Sequence, residues 1–426
     1  MVRRKGNGIF AAVGAATGLG NAFRFPALCA KYSFAFIAAY ALTLAIVGYP
    51  LLCAELNFGR SQSRGKRTGF AYILMRMAAA NSAVIALYYG VIACKIGGAA
   101  VNFAIFSYVD TYAYMPVLCA FFIFPAVFFI LKSGSSALGV TGKISVCSSL
   151  LLFSFLAAYG ASMGLPPFNL SFLLCGEVWV EAVGQTLLSL SLAAGVMPAF
   201  ARTMSDISVS STALKIVAAN LIGCIFSALS VCPFCVSLTI DGGISCAFTV
   251  YPQVIFAVTR SLAGRKILGV CVYGVLTAVS IHSLCSLADP LLSEVKGSRA
   301  VCALLFCALS ALIAPVLSLN GGQALSCCDR VACCVTAIIL AFGECVLFAK
   351  RGGGNVAIKA LTKLICPIVC GVAALLSICS ARFAIYNALS LFLGGLAALF
   401  PVCYALTPLI IRLKIRLQNA IQALYK

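Results

Sequence analysis

Gly14-Ala15-Ala16-Thr17-Gly18-Leu19-Gly20-Asn21-Ala22-Phe23-Arg24-Phe25-Pro26 interrupts the first apolar stretch of this 426-residue chain with three glycines and the polar pair Asn21 and Arg24. At that depth a membrane-spanning helix is ordinarily uniform. Inside a bilayer every backbone N–H and C=O must find a partner, so an unwound segment persists only where it lines a cavity and its freed groups hold something. The stretch therefore reads as a binding site set into a broken spanning helix.

Composition supplies the membrane. Hydrophobic residues make up 63% of the chain and charged residues 9%, and the mean hydropathy is +1.09. Stretches without charge, such as 33–54, 111–131, 144–176 and 216–240, exceed the roughly 20 residues needed to cross a hydrocarbon layer of about 30 Å. About twelve spans are expected, near 8–30, 33–56, 78–107, 111–131, 143–163, 182–203, 211–238, 266–289, 299–318, 329–349, 361–381 and 384–412. The last two are the least distinct, and eleven spans is the alternative.

The formal net charge is +20, yet the basic residues sit in short loops rather than on a stripe or arm. Nucleic acid is therefore excluded as a partner. Their placement follows the positive-inside rule if both termini are cytoplasmic: Arg3, Arg4, Lys5, Arg60, Arg64, Lys66, Arg67, Lys132, Lys143, Arg202, Lys296, Arg299, Lys350, Arg351 and the tail fall inside. Arg260, Arg265 and Lys266 break the rule and imply a structured outer loop. The first apolar run is followed by Arg24 and Lys31 and not by a small-residue cleavage site, so it reads as a retained helix.

Most of the 23 cysteines lie inside apolar runs, where Cys acts as a small hydrophobe that lets helices approach. Cys232-Pro233-Phe234-Cys235 has the spacing of a redox motif, but such motifs need a soluble strand-to-helix turn and this one ends a spanning helix. Lys95, Lys215 and Glu344 also fall inside spans, where snorkelling or local pairing accounts for them. The Gly18-Leu19-Gly20 stretch lacks the Lys-Ser/Thr of a nucleotide loop, and no catalytic dyad stands out, so an enzyme is not expected.

The run Gly14 to Pro26, then Ala35-Phe36, Tyr40, Val47-Gly48-Tyr49-Pro50 and Glu55 to Gly59-Arg60, resembles the first two helices of the neurotransmitter:sodium symporter family, whose bacterial members carry amino acids. Val178-Trp179-Val180-Glu181-Ala182-Val183-Gly184-Gln185 with Ser189-Leu190-Ser191-Leu192 is similar to that family's sixth helix, the second one that is unwound. The resemblance implies an all-α polytopic membrane protein of about 12 transmembrane helices with the bacterial leucine transporter-type fold: two inverted five-helix repeats with helices 1 and 6 broken. On that template residues 1–163 form the first repeat and 177–350 the second; 361–413 supply two accessory helices and 414–426 a cytoplasmic tail. One departure is visible. The glycine-rich turn usual after the first helix is replaced by Lys31-Tyr32-Ser33-Phe34.

The same resemblance implies a set of site residues. A sodium ion beside the substrate would be held by Ala16, Asn21, Ser189 and Asn220, all through oxygens that suit a hard cation. The substrate would meet the backbone of Ala16, Gly18 and Gly20 and the hydroxyl of Tyr89; its side chain would meet Ile85, Leu188, Ser191, Ala193, Ala194 and Leu287. Monoamine carriers place an aspartate where this chain has Gly18, which favours an α-amino acid bringing its own carboxylate, and the apolar lining favours a branched or aromatic one. A second ion site would use Gly14, Thr17, Val279, His282 and Ser283. His282, the only histidine of the chain, stands at a hydroxyl position of that site. Three readings stay open for it: a proton replacing one sodium, a one-residue slip that returns Thr277 or Ser280 to the site, or a neutral imidazole on a backbone carbonyl.

Arg24 and Asp329 match the pair that closes the outer gate, and Phe200 and Gln185 would shape the sixth-helix end of the pocket. Tyr40, Gln185 and Ser189 match chloride-binding positions of eukaryotic relatives, with Cys224 where some bacterial ones carry an acid. The implied activity is sodium-coupled import of an apolar amino acid by alternating access in the plasma membrane, with H⁺ or Cl⁻ as further ions and no other cofactor. The chain would work in the lipid bilayer as a monomer or weak dimer. The alternatives are a proton-coupled or mixed carrier using His282, and a transporter-like receptor that does not transport.

Overall fold

The computed structural model describes residues 7–62, 69–107, 114–164, 168–204, 208–235, 243–295, 297–318, 330–348 and 356–380. The described residues are helical, with no strand among them.

The first span is two helices. α1 (Asn7–Ala16) ends at Thr17 and Gly18; a wide π-helical turn (Gly20–Arg24) then leads into α2 (Phe25–Tyr32), whose first turn holds Pro26. Proline fits there because its missing N–H would have no helical partner in a first turn. The second span joins α3 (Ala35–Thr43) to α4 (Tyr49–Gln62) through a π-turn at Leu44–Gly48. α5 (Phe70–Phe106), α6 (Tyr114–Ser133) and α7 (Ser135–Ser162) follow as unbroken helices.

The sixth span is broken again, into α8 (Gly176–Ser189) and α9 (Val196–Ala201). α10 (Val209–Cys235) precedes a helix that the hydropathy pattern did not count, α11 (Gly243–Val258). This is the structured element between spans 7 and 8 that Arg260 and Arg265 demanded: the Arg265 guanidinium lies 4.9 Å from the centre of the Phe256 ring. α12 (Leu262–Glu294) starts at Ser261, whose hydroxyl accepts the Gly264 N–H at 3.0 Å. α13 (Arg299–Ser318), a π-turn at Arg330–Thr336 leading into α14 (Ala337–Phe348), and a run from Val356 through Ser380 complete the described fold. The twelfth expected span and the tail lie outside the described residues.

Seven described helices are long and apolar enough to cross a membrane. Spans 1 and 6 drop out of that count because the breaks leave no piece long enough. α5 and α12 pack side by side along much of their length, and α1 lies against α7, α10 and α12, which places both breaks at the centre of the bundle. The periphery carries apolar side chains facing outward, such as Phe121 and Phe122 of α6, Leu151 of α7 and Leu312 of α13, each more than 70% exposed. Water would make such surfaces costly, and lipid covers them. The fold is that of a polytopic membrane protein.

Candidate functional site

A broken helix releases backbone groups, and their partners define the site. In the break of span 1, the Leu19 N–H is accepted by the Ser283 hydroxyl of α12 at 3.3 Å. The Ala15 carbonyl accepts the Ser191 hydroxyl (3.2 Å), the Ala16 carbonyl the Asn21 amide (3.0 Å), and the Gly20 carbonyl the Gln185 amide (3.2 Å). Just beyond, the Tyr251 hydroxyl of α11 donates to the Ala22 carbonyl at 2.8 Å. Side chains from spans 6 and 8 and from the outer helix thus hold the unwound backbone open. Gly18 is required by space as well: a Cβ there would overlap the Ser283 hydroxyl.

The break of span 6 has a different cause. Ser191 (φ 50°), Ala193 (φ 53°) and Gly195 (φ 69°) are all left-handed, an alternation that no helix continues through. The Ala193 N–H released by this turn is accepted by Glu55 of α4 at 2.8 Å. Glu55 and Glu344 of α14 are fully buried next to one another, so spans 2 and 10 meet behind the break.

Between the two breaks lies a cavity with about 300 Å³ of empty space, lined by Ala15, Gly18, Leu19, Gly20, Tyr89, Leu188, Ser189, Ser191, Ser283, Ser286 and Leu287. Among the described residues, no charged side chain lines it. Of the residues expected around the substrate, Gly18, Gly20, Tyr89, Leu188, Ser191 and Leu287 line this cavity. Ala16, Ile85, Ala193 and Ala194 are buried but do not line it: Ala16 turns its carbonyl to Asn21, and Ala193 gives its amide to Glu55. Ser283 and Ser286, one turn of α12 apart, are additional polar lining, a pairing visible only once α12 is placed against span 1.

Next to the cavity the expected ion ligands converge. The Asn21 amide also donates to the Asn220 side-chain oxygen at 2.7 Å. The Asn220 amide donates to the Tyr40 hydroxyl (2.6 Å) and the Ser189 hydroxyl (3.3 Å), and the two hydroxyls are 2.7 Å apart. Asn21, Tyr40, Ser189 and Asn220 are all buried, and the Asn21 side-chain oxygen has no hydrogen-bond partner. A buried acceptor without a donor, beside a ring of other oxygens, has the chemistry of a hard-cation site. The Cys224 thiol reaches the Tyr40 hydroxyl at 3.6 Å.

The residues expected around a second ion are arranged otherwise. Ser283 is engaged with the Leu19 N–H, the Thr17 hydroxyl donates to the Val13 carbonyl at 3.0 Å, and Val279 is buried. His282 is fully buried with Nδ1 3.0 Å from the Thr141 hydroxyl of α7, while its ring also approaches the Ala11 backbone and its Nε2 faces Gly14.

Two polar networks cap the ends of the bundle. At the end expected to face outward Arg24 forms an ion pair with Glu181 at 3.0 Å, and Lys31 with Glu177 at 3.0 Å, joining span 1 to span 6. Asp329, the expected gate partner of Arg24, lies outside the described residues. At the opposite end, expected to face the cytoplasm, Glu294 at the end of α12 receives Arg202 at 2.6 Å and the Tyr72 hydroxyl. These residues join spans 3, 6 and 8 and were not singled out by their sequence context. The Cys232 thiol donates to the Pro26 carbonyl at 3.5 Å from within α10, so the Cys-Pro-Phe-Cys motif sits in a helix and not in a strand-to-helix turn.

Comparison with known proteins agrees with this geometry. Residues 2–123 match the sodium:neurotransmitter symporter family. The sodium-dependent neutral amino acid transporter B(0)AT2 of Rattus norvegicus is 37% identical over 91 residues, 20% of this chain and 12% of that protein. The sodium- and chloride-dependent glycine transporter 1 of Xenopus laevis is 34% identical over 98 residues. The sequence match therefore spans 12% of the B(0)AT2 length. The fold match is much wider: the crystal structure of MhsT in complex with L-phenylalanine superposes with a TM-score of 0.77 over 88% of this chain and 99% of that one, at 20% identity. The resemblance read from the sequence, and the transporter fold it implied, are borne out. The family is one of transporters and not of enzymes.

Proposed function

We propose that this chain, a relative of the neurotransmitter:sodium symporters through its first 123 residues and through its fold, imports an apolar α-amino acid coupled to sodium. The observation that carries this reading is the junction of the uncharged cavity with the buried Asn21, Ser189 and Asn220 oxygens, one of them without a donor. A zwitterion entering the cavity brings both of its charges: carbonyls freed by the break of span 1 suit its ammonium, and the Tyr89 hydroxyl suits its carboxylate. Ala16, Asn21, Ser189 and Asn220 would hold the ion, whose positive charge sits beside that carboxylate. Each species then raises the affinity of the other by the same factor.

The cavity between the two breaks is small and uncharged among the described residues, which supports a single small molecule such as an amino acid. Leu188 and Leu287 favour a branched or aromatic side chain. In the working cycle the outer and inner networks open in turn around the fixed site, with residues 1–163 and 177–350 as the two inverted repeats. The protein acts in the plasma membrane with both termini cytoplasmic, as a monomer or weak dimer.

Uptake of radiolabelled leucine, phenylalanine, tryptophan and alanine into proteoliposomes tests this reading, with an imposed Na⁺ gradient, a pH gradient or neither, in chloride and in gluconate. Accumulation that follows the Na⁺ gradient is expected. Uptake that requires the pH gradient would assign the coupling to a proton, and binding without uptake would make the chain a receptor.

A further inference from the structure

The resemblance read from the sequence places a second cation where span 1 meets span 8, and in this chain that seam is filled by protein. The ring of His282 projects from α12 into the space beside Gly14 of α1 and Gly142 of α7. A Cβ built on Gly14 would lie 2.5 Å from His282 Nε2 and 2.7 Å from the Gly142 Cα. A Cβ on Gly142 would lie 2.5 Å from the Phe10 carbonyl oxygen and 3.1 Å from His282 Cε1. Neither glycine has a positive φ. Glycine is needed at both positions for space, and much of that space is taken by the imidazole.

The donor set points the same way. A sodium ion wants a shell of oxygens. Of the two side chains that the resemblance places at the seam, Ser283 already accepts the Leu19 N–H. The other offers nitrogen instead of a hydroxyl, and its Nδ1 is already bonded to Thr141. The residues present do not fit a second sodium ion. The geometry points to a carrier with a single cation site: His282 occupies the seam between α1, α7 and α12 as a fixed part of the protein, and one Na⁺, held by Asn21, Ser189 and Asn220, accompanies each amino acid.

This inference rests on the sodium-coupled reading above, and its test separates the two. Binding of radiolabelled sodium to the purified native protein is counted in the presence of saturating L-leucine, L-phenylalanine or L-alanine in turn. One ion per chain is expected, with a Hill slope near one for Na⁺ in amino-acid binding. Two ions per chain and a slope near two would overturn the single-site assignment and leave the symporter reading intact. No bound sodium would overturn both.

Replacing His282 with a hydroxyl-bearing residue, His282→Ser or His282→Thr, gives the complementary test. A second ion and a slope near two in either variant is expected. A count that stays at one in folded protein of both variants would show that the ring is not what excludes the second ion.

Discussion

Asn21 bonds both to its own broken helix and to span 7, so one side chain links the unwound backbone to the ion ligands. Replacing it with Ala removes two hydrogen bonds at a buried site, a loss of about 1–3 kcal/mol. The apparent Na⁺ affinity should fall by about 10-fold to 100-fold, read from sodium titrations of amino-acid binding, and an unchanged titration would take Asn21 out of the site. Gly14→Ala should lower thermal stability in detergent by about 1–3 kcal/mol, because the added methyl meets both the His282 ring and the Gly142 backbone. At this scale the sequence was most legible where a polar residue interrupts an apolar run: Asn21 and Arg24 stand out without any fold, whereas Ser189 and Asn220 were reached only through the likeness to the family. Glu181 could not be matched to Arg24 in that way. The two are 157 residues apart in the chain, and only the approach of α8 to span 1 brings them within 3.0 Å.

The two broken helices differ in how openly they announce themselves. Span 1 is interrupted by Gly14, Gly18 and Gly20, which any reading of helix propensity would notice. Span 6 breaks at Ser191 and Ala193, ordinary residues held left-handed by tertiary contacts, one of them the Glu55 bond to Ala193. Nothing local in Leu190-Ser191-Leu192-Ala193-Ala194 forces that geometry, so only the likeness to the family's sixth helix pointed to it. α11 was hidden for a similar reason: it is too short for a span, and charge placement signalled only that some structure had to be there. A β-branched residue at a left-handed position should cost about 1–3 kcal/mol. Ala193→Val is therefore expected to reduce thermal stability and amino-acid binding together, while Ala193→Gly keeps the turn and both properties. Equal effects of the two substitutions would mean that the turn carries no strain.

The molecule as a whole is latched at both ends, by Arg24–Glu181 and Lys31–Glu177 at the end expected to face outward and by Tyr72, Arg202 and Glu294 at the end expected to face the cytoplasm. The inner latch is nearly dry, with the Glu294 side chain 1% exposed. Glu294→Gln should weaken it by about 3 kcal/mol or more, increase thiol labelling from the cytoplasmic side and lower amino-acid affinity; unchanged labelling would deny it a gating role. The outer latch answers to pH. The Lys31 ammonium, bonded to Glu177, holds that carboxyl below its ordinary value of 4.5. Its stabilisation is complete above pH 4.5 and is lost as the pH falls through the lowered value. Lys31→Met should flatten the acid side of the stability profile measured by thermal unfolding. One contact sets how these latches communicate. Gly59 of α4 lies so close to Pro198 of α9 that a Cβ would overlap the Pro198 carbonyl. The inner half of span 6 cannot slide past span 2 without dragging it. A wedge driven in at Gly59, whether a methyl group or a lipophilic inhibitor, would push these two elements apart from a point remote from the cavity between the breaks.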